Sequence, residues 1–406
     1  MKRTRRGLPA LALYVLAGLC TGCSHPAETK LEDSWNRKAA AAYLDQREGA
    51  WMAWPHAARD QGTFCVSCHT AMPYALSRQA IDLELGATGL SINERELIDN
   101  VTKRVRLWKD IQPYYPNQVG ASRGTEAVLN ALILASYDAR SGKLTADTRS
   151  AFDEMWSLQE STGAEQGAWQ WIEFNNEPWE AYDSAYYGAT LAAIAVGLAP
   201  ENYRSSPEIQ QNLESLRQYL HRESAAQTLL NRISLLWVSA KIPGILRPEQ
   251  QESIVNEILS KQRADGGWCA SSLVGPWKRK DRTPLVMRSD GYATGFITYV
   301  LQQVGLSRDN HHVKDGLSWL IRNQHWSGYW EAYSLNERRL NPFSNVSDFM
   351  DDAATAYAVL ALAEADAKRE SAKAQRAMPD LSIEAWKIPV ETTIDENRDP
   401  VTRLHL

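Results

Sequence analysis

Two cysteines and a histidine form the pattern with the clearest chemistry in this chain. Cys65 and Cys68 are separated by two residues, and His69 follows directly. This C-x-x-C-H spacing is the attachment signature of c-type haem. Two thiols at that distance reach the two vinyl groups of a porphyrin, and the adjacent imidazole binds the iron. The sequence therefore predicts haem c attached to Cys65 and Cys68, with His69 as the metal ligand.

Other interpretations of the motif stay open. An oxidising compartment allows a structural disulfide between Cys65 and Cys68. A zinc site is the alternative metal centre, with the motif residues joined by Cys269 or an aspartate. The sequence does not determine a sixth iron ligand, and an open iron position is an equal alternative. The side chains considered for that position, from the same loop or from loops expected nearby, are Met52, His56, Met287 and His325.

The N-terminus has the pattern of an export signal. Basic residues occur from position 2 to position 6, and an apolar stretch too short to span a bilayer comfortably follows. Thr21 and Gly22 before Cys23 resemble a bacterial lipobox. Residues 1–22 are therefore predicted to be a lipoprotein-type signal peptide, with Cys23 as the lipidated first residue of the mature protein. The alternatives are ordinary signal cleavage or an uncleaved anchor. The predicted location is the periplasm, with attachment to the membrane through the lipid.

Composition limits the class of protein. The 406 residues are 44% hydrophobic and 23% charged, which is typical of a folded protein with a large core. A net charge of -5 gives no indication of nucleic-acid binding. No second long apolar stretch occurs, which excludes a polytopic membrane protein. The 15 tryptophans are about three times the usual number and need a structural explanation.

Internal repeats explain the tryptophans. Three segments carry a Gln, a Gly and a Trp at the end of an amphipathic helical pattern, at residues 159–169, 262–268 and 324–330. After each segment come a loop and an alanine-rich apolar helix. Amphipathic helices that alternate with apolar ones predict two layers, with the apolar helices inside. The apolar helices are predicted to begin at Asp183, Asp290 and Asp351.

A shortened form of the same signature precedes the cysteine motif. Gln46, Gly49 and Trp51 are predicted to close a helix that begins at about Leu31. An inner helix over residues 70–80 follows. The C-x-x-C-H motif is therefore expected in the loop of the first helix pair, in register with the later repeats.

Two further helix pairs lack the signature. They are predicted at residues 93–109 with 124–139, and at residues 207–222 with 226–241. Counting all pairs, the chain is predicted to be all-α, with about six outer–inner helix pairs that close an α/α toroid over residues 23–366. Residues 367–406 are predicted to form a polar C-terminal tail.

The pattern Q-x-x-x-G-x-W at the ends of outer helices resembles the repeat of squalene–hopene cyclases and their prenyltransferase relatives. The resemblance covers roughly residues 31–366 and implies an α/α toroid and an isoprenoid-like ligand. In the cyclases of this type, a D-x-D-D-T-A motif supplies a protonated acid. Here Phe349 stands at the first Asp position and Ala353 at the Thr position, which argues against cyclase chemistry. Helix N-capping is the simpler interpretation of the aspartates.

The outer-to-inner loops of such a ring all lie at one end, so residues 65–69 are expected beside Asp183, Asp290 and Asp351. Three functions compete. The first is a lipid-anchored periplasmic haem protein that transfers electrons with an unidentified redox partner or oxidises an apolar ligand. The second is a cyclase-like or prenyltransferase-like enzyme with a zinc or structural cysteine site, and the third is a lipid-binding module. Whether the chain is an enzyme stays open.

Overall fold

The computed structural model describes residues 34–339, 341 and 344–377, apart from the side chains of residues 83–84 and 371–377. The predicted signal peptide, Cys23 and residues 378–406 lie outside the described residues. The described residues from Asn36 onward belong to one compact unit. Its described part is all-α, as predicted, with twelve α-helices and one two-stranded hairpin. Within these described ranges, no helix has the length and hydrophobicity needed to cross a membrane.

The helices follow one another as six outer–inner pairs. The outer helices are α1 (Arg37–Met52), α3 (Ile92–Arg106), α5 (Ala146–Ser157), α7 (Gln210–Glu223), α9 (Pro248–Ser260) and α11 (His311–Asn323). The inner helices are α2 (Ala71–Leu85), α4 (Val119–Ser141), α6 (Ser184–Leu198), α8 (Leu229–Lys241), α10 (Gly291–Gln303) and α12 (Asn345–Ala377). Between α1 and α2, strand β1 (Ala58–Arg59) pairs antiparallel with β2 (Thr63–Phe64).

The last helix continues into the predicted polar tail. It runs to Ala377, so residues 367–377 are helical. Lys368 explains part of the extension: its ammonium pairs with Glu364, one turn earlier, at 2.9 Å and donates to the carbonyl of Gln302 at 2.8 Å. A polar helical turn of this kind is stabilised by side-chain pairs four residues apart.

The inner helices contact one another in chain order, and the order closes on itself. Each inner helix packs on the next, and α12 packs on α2. Apolar residues on all sides allow this burial: every residue of α6 from Tyr186 to Val196 is buried. An outer helix buries one side only. In α11 the buried side chains with helical spacing are Val313, Leu317 and Leu320.

The three Gln–Gly–Trp signatures share one geometry, in which the glutamine joins neighbouring outer helices. Gln324 Nε2 donates to the carbonyl of Gly328 at 3.1 Å and to that of Asn36, the N-cap of α1, at 3.0 Å. In the same way, Gln262 donates to His312 of α11 and Gln159 donates to Asn212 of α7. The last outer helix is therefore tied to the first.

The glycine and the tryptophan of each signature have fixed roles. Gly328 has a φ of 102°, and a Cβ added there would lie 2.2 Å from the carbonyl of Ala39; only glycine fits this approach. The indole of Trp268 is fully buried and donates to the carbonyl of Ile258 at 2.9 Å. Trp330 does the same toward Leu320 at 2.7 Å. Each of these indoles is therefore anchored to the outer helix that precedes it.

The first signature does not share this geometry, although it lies at the end of α1. Gln46, Gly49 and Trp51 all lie within α1 instead of in the turn after it. A spacing of three residues between Gln46 and Gly49 suits a continuing helix, and the nearest atom to a Cβ on Gly49 would be at 3.7 Å. Because α1 continues, the Trp51 indole donates to the carbonyl of Cys65 at 2.7 Å.

Candidate functional site

The C-x-x-C-H segment is held on both sides by side chains that bond to its backbone. Before the motif, the amide of Asn100 in α3 accepts from the N–H of Phe64 at 2.9 Å and donates to its carbonyl at 3.1 Å. Within the motif, Ser67 Oγ accepts from the N–H groups of Thr70 and Ala71 at 3.2 and 3.0 Å. Such a cap starts a helix. It therefore places His69 in the turn that leads into α2.

His69 is oriented by a chain of hydrogen bonds that ends on a buried carboxylate. Its Nδ1 lies 2.8 Å from Thr70 Oγ1, and the Thr70 hydroxyl donates to Asp352 Oδ2 at 2.7 Å. Since the hydroxyl proton points to the carboxylate, the hydroxyl oxygen accepts and Nδ1 carries the imidazole proton. Nε2 keeps its lone pair, and no described residue hydrogen-bonds to it. A histidine anchored through Nδ1 in this way is suited to bind a metal through Nε2.

Asp352 connects the motif to the first and last helices. Its carboxylate accepts from Arg47 Nε at 2.7 Å and from the Tyr43 hydroxyl at 3.1 Å, both on α1. Arg47 also pairs with Asp348 at 3.1 Å. Burial raises the pKa of Asp352, while the charge of Arg47 and the hydrogen bond from Thr70 oppose the shift. The pairing with Arg47 favours the carboxylate form that the hydrogen-bond chain requires.

Aromatic side chains cover the imidazole. Phe349 stacks on it with ring centroids 3.7 Å apart and an interplanar angle of 17°. Trp51 and Trp179 approach at 4.9 and 5.9 Å. Burial, with a smaller contribution from the charge of Arg47, lowers the pKa of His69 to about 3. The imidazole is therefore neutral at physiological pH.

The two thiols are buried and free. Cys65 and Cys68 are 6% and 4% exposed and do not form a disulfide. Burial raises the pKa of Cys65 to about 12 and that of Cys68 well above its usual range. In the folded protein both groups are thus protonated thiols, which are weak nucleophiles and poor ligands.

The zinc alternative finds no preformed site. Within the described part of the chain, no group of three or more His, Cys, Asp or Glu side chains is placed to hold a metal ion. The thiol of Cys269 is directed instead at the carbonyl of Val286, at 3.4 Å. Tetrahedral zinc requires ligands that converge on one point. Haem c makes a different demand, because its thiols bond to the porphyrin rim while the imidazole alone binds the iron.

The C-x-x-C-H motif lies close to the start of an inner helix, as predicted. The aspartates that were predicted to begin the inner helices differ in their roles. The bond from Thr70 to Asp352 places the motif at the start of α12, as expected. Asp290 caps α10 by accepting from the N–H of Ala293 at 2.9 Å. Asp183 makes no capping bond and accepts from Asn231 at 3.0 Å. Asp351 lies inside α12, so the capping interpretation is correct for Asp290 only.

Two of the side chains considered as sixth iron ligands, His56 and His325, have different surroundings. The ring of His56 lies 4.9 Å from that of Trp54 at an interplanar angle of 58°, and Trp54 meets Phe349 edge-on at 6.0 Å. This series of rings leads to His69. In contrast, the ring of His325 contacts that of Tyr329, with the centroids 4.6 Å apart and an interplanar angle of 42°. The residues that sequence reasoning missed are those that orient and cover the imidazole, namely Arg47, Thr70, Phe349 and Asp352.

No protein-family model and no curated protein matches this chain. Two solved structures of glycosidase variants, the second in complex with glucose, are similar to it with TM-scores of 0.42 and 0.41. Each is 11% identical to this chain, and each match covers 80% of this chain and 97% of the glycosidase. This similarity is too low to indicate the function of this protein.

Proposed function

We propose that the protein is an exported, lipid-anchored c-type haem protein with a redox role. Cys65 and Cys68 attach the haem, and His69 binds its iron. The observation that carries the proposal is the hydrogen-bond chain from His69 Nδ1 through Thr70 to Asp352, which leaves Nε2 unprotonated and available. Lipid attachment at Cys23 and the periplasmic location are proposed from the sequence pattern alone.

The two thiols and the imidazole are the groups that haem c requires. The side chains around them, however, leave them almost no exposed surface. The two thiols and the imidazole are at most 8% exposed, and Phe349 lies flat against the imidazole. Phe349 is itself half-buried at the start of α12. Among the rings around His69, it is therefore the one whose displacement loses the least buried surface. We propose that Phe349 moves when the haem is in place.

The chain's own residues define what the site can do. A bound haem would supply a one-electron redox centre. Thr70 and Asp352 orient the imidazole and raise its basicity toward the iron. Trp51 and Trp179 exclude water from it, and a dry environment of this kind tunes the redox potential.

We also propose that the six helix pairs form an α/α toroid of the squalene–hopene cyclase type. The closed order of contacts among inner helices and the bond from Gln324 to Asn36 support this architecture. An isoprenoid-like ligand inside the ring receives less support. The ring of Tyr357 on α12 lies 4.7 Å from that of Phe296 and 5.7 Å from that of Tyr292, both on α10. Side chains therefore occupy the space between these inner helices.

Covalent haem is tested by producing the protein together with the c-type attachment machinery. We expect a haem-stained band on a denaturing gel and a Soret absorption band. Cys65→Ser and Cys68→Ser should reduce or abolish the staining, while Cys269→Ser, which removes a buried cysteine outside the motif, should leave it unchanged. A colourless wild-type band from competent cells would falsify the proposal.

The lipid anchor needs a separate test. Mass spectrometry of the N-terminal peptide should show a chain that begins at Cys23 and carries lipid. Cys23→Ala should release the protein into the soluble periplasmic fraction, since lipid chains are its proposed means of attachment. An unmodified start at another residue would contradict the proposal.

A further inference from the structure

One tryptophan of the last signature is exposed to solvent. Trp326 has 84% of its surface exposed, the largest fraction among the large apolar side chains of the described residues. Its ring lies 5.3 Å from that of His325, which is exposed as well. The tryptophans that close the three signatures are, in contrast, fully buried. An indole in water lacks the stabilisation that burial of its apolar surface would provide, so the exposure of Trp326 needs an explanation.

The turn that carries Trp326 does not require an indole. In the preceding signature, Ala264 occupies the same position, two residues after the glutamine, and is exposed. The two turns share their main-chain bonds. The N–H of His325 donates to the carbonyl four residues later at 2.8 Å, and the N–H of Arg263 does the same at 2.9 Å. Because the turn forms equally with alanine, a contact outside the folded chain is the simplest role for Trp326.

The turn lies beside the residue at which the chain from the proposed lipid anchor enters the fold. The side chain of Gln324 accepts from the N–H of Asn36 at 2.7 Å and donates to its carbonyl at 3.0 Å. Asn36 is the thirteenth residue after Cys23, and a chain of that length spans at most about 45 Å. A lipid on Cys23 would therefore keep the start of α1, and with it this turn, close to a bilayer.

Exposed basic side chains flank the turn. Lys38 belongs to the first turn of α1, and Arg322 belongs to the last turn of α11. Within the described ranges neither forms an ion pair, and Arg322 donates to a neutral acceptor, the carbonyl of Asp265, at 3.2 Å. Negatively charged headgroups attract basic side chains at the surface of a bilayer. The surroundings of Trp326 are therefore complementary to an anionic lipid surface.

We propose that the turn at residues 324–330 docks on a phospholipid bilayer, with the indole of Trp326 in the headgroup region and Lys38 and Arg322 beside it. An indole suits this position because its ring is apolar while its N–H can still form a hydrogen bond, and tryptophan is accordingly enriched at membrane–water interfaces. The inference rests on the proposed lipid at Cys23, since one indole and two basic side chains are too few to hold the protein on a membrane by themselves. It does not depend on haem.

Quenching of a surface dye by lipid tests the docking. The free cysteines of the described part are buried, so a cysteine introduced at the surface can be labelled selectively. The labelled His325→Cys protein is reconstituted into vesicles of phosphatidylcholine and phosphatidylglycerol that contain a nitroxide lipid. We expect loss of most of the dye fluorescence, and less loss when Trp326→Ser is added. Asp309→Cys is the matched control, an exposed residue just before α11 and about 20 Å from the turn along that helix; its dye should stay unquenched.

Three results would overturn the docking. The first is equal quenching at positions 325 and 309, or quenching at 325 that Trp326→Ser does not reduce. The second is a blue-shifted but unquenched dye at 325, because a protein, such as a second copy of this chain, would then cover the turn. The third is a protein that does not stay with the vesicles. Mass spectrometry of the N-terminal peptide separates the two proposals: a chain without lipid overturns the anchor as well, whereas a lipidated chain with an unquenched dye overturns the docking alone.

Discussion

Replacing Asp352 with asparagine should destabilise the protein by breaking a buried ion pair. The carboxylate is 2% exposed and accepts from Arg47 at 2.7 and 3.2 Å, from Tyr43 at 3.1 Å and from Thr70 at 2.7 Å. Asparagine keeps the shape and removes the charge. Loss of one partner of a buried pair costs about 3–5 kcal/mol. Since Asp348 still pairs with Arg47 in the variant, we expect the lower end of that range, about 3 kcal/mol.

Urea unfolding followed by tryptophan fluorescence measures this loss. Asp147→Asn is the matched control, because it removes the same charge from the exposed pair with Arg106, which has an N–O distance of 2.8 Å. Exposed pairs contribute little to stability, so the control should unfold like the wild type. If Asp352→Asn loses no more stability than Asp147→Asn, the argument from burial is refuted.

The same variant tests how His69 is oriented. An asparagine at position 352 can present its NH₂ group to Thr70, which lets the hydroxyl reverse. The Nδ1–H form of His69 is then no longer enforced. Nitrogen-15 NMR of labelled histidine should show one tautomer in the wild type and a mixture in Asp352→Asn. An unchanged tautomer in the variant would show that Thr70 and Asp352 do not set it.

Three further predictions concern pH and the repeat contacts. Glu48 is fully buried without a described hydrogen-bond partner, and burial raises its pKa well above the usual range. The native state therefore holds a proton that the unfolded chain releases above pH about 4.3. Urea unfolding over a pH series should show that stability falls as pH rises, and Glu48→Gln should raise stability at pH 7 and remove this component. His69 acts in the opposite direction: its folded pKa of about 3 lies below the unfolded value of about 6.5, so its contribution is lost as pH falls, by about 2 kcal/mol from pH 7 to pH 5. A His69→Gln variant that kept the full acid sensitivity would contradict this. Gly328→Ala should lower the thermal unfolding midpoint more than Gly142→Ala, because both sites have positive φ but only the first would place a Cβ against the backbone of Ala39; equal effects would exclude the contact as the cause.

The repeat architecture could be predicted because its signals are local. Gln262, Gly266 and Trp268 lie within a single turn, and the apolar and amphipathic helical patterns lie beside them in the chain. The first signature differs in geometry from the others because a Gln–Gly spacing of three suits both a turn and a helix. What distinguishes the two is a neighbouring outer helix packed on the glycine, as Ala39 packs on Gly328. That contact is not visible in the sequence.

The candidate site also contains residues that the sequence pattern reveals and residues that only the packing of the helices reveals. Cys65, Cys68 and His69 are adjacent in the chain, so their pattern is visible. Asp352 lies 282 residues from Thr70, and its neighbour Asp351 has a different partner, the N–H of Ala332. The start of α12 offers several acidic residues, and only the packing of α12 on α1 and α2 selects the one that holds the imidazole.

The order of these parts along the chain also determines when the site closes. Phe349 and Asp352 belong to the last helix, whereas the motif precedes the second, so the motif is synthesised long before the side chains that cover it. Contacts between such distant segments form late in folding. Until α12 arrives, His69 lacks the ring of Phe349 that covers it and the carboxylate of Asp352 that orients it through Thr70. The side of the motif that faces α12 is thus accessible only in the newly made chain, before its final helix docks.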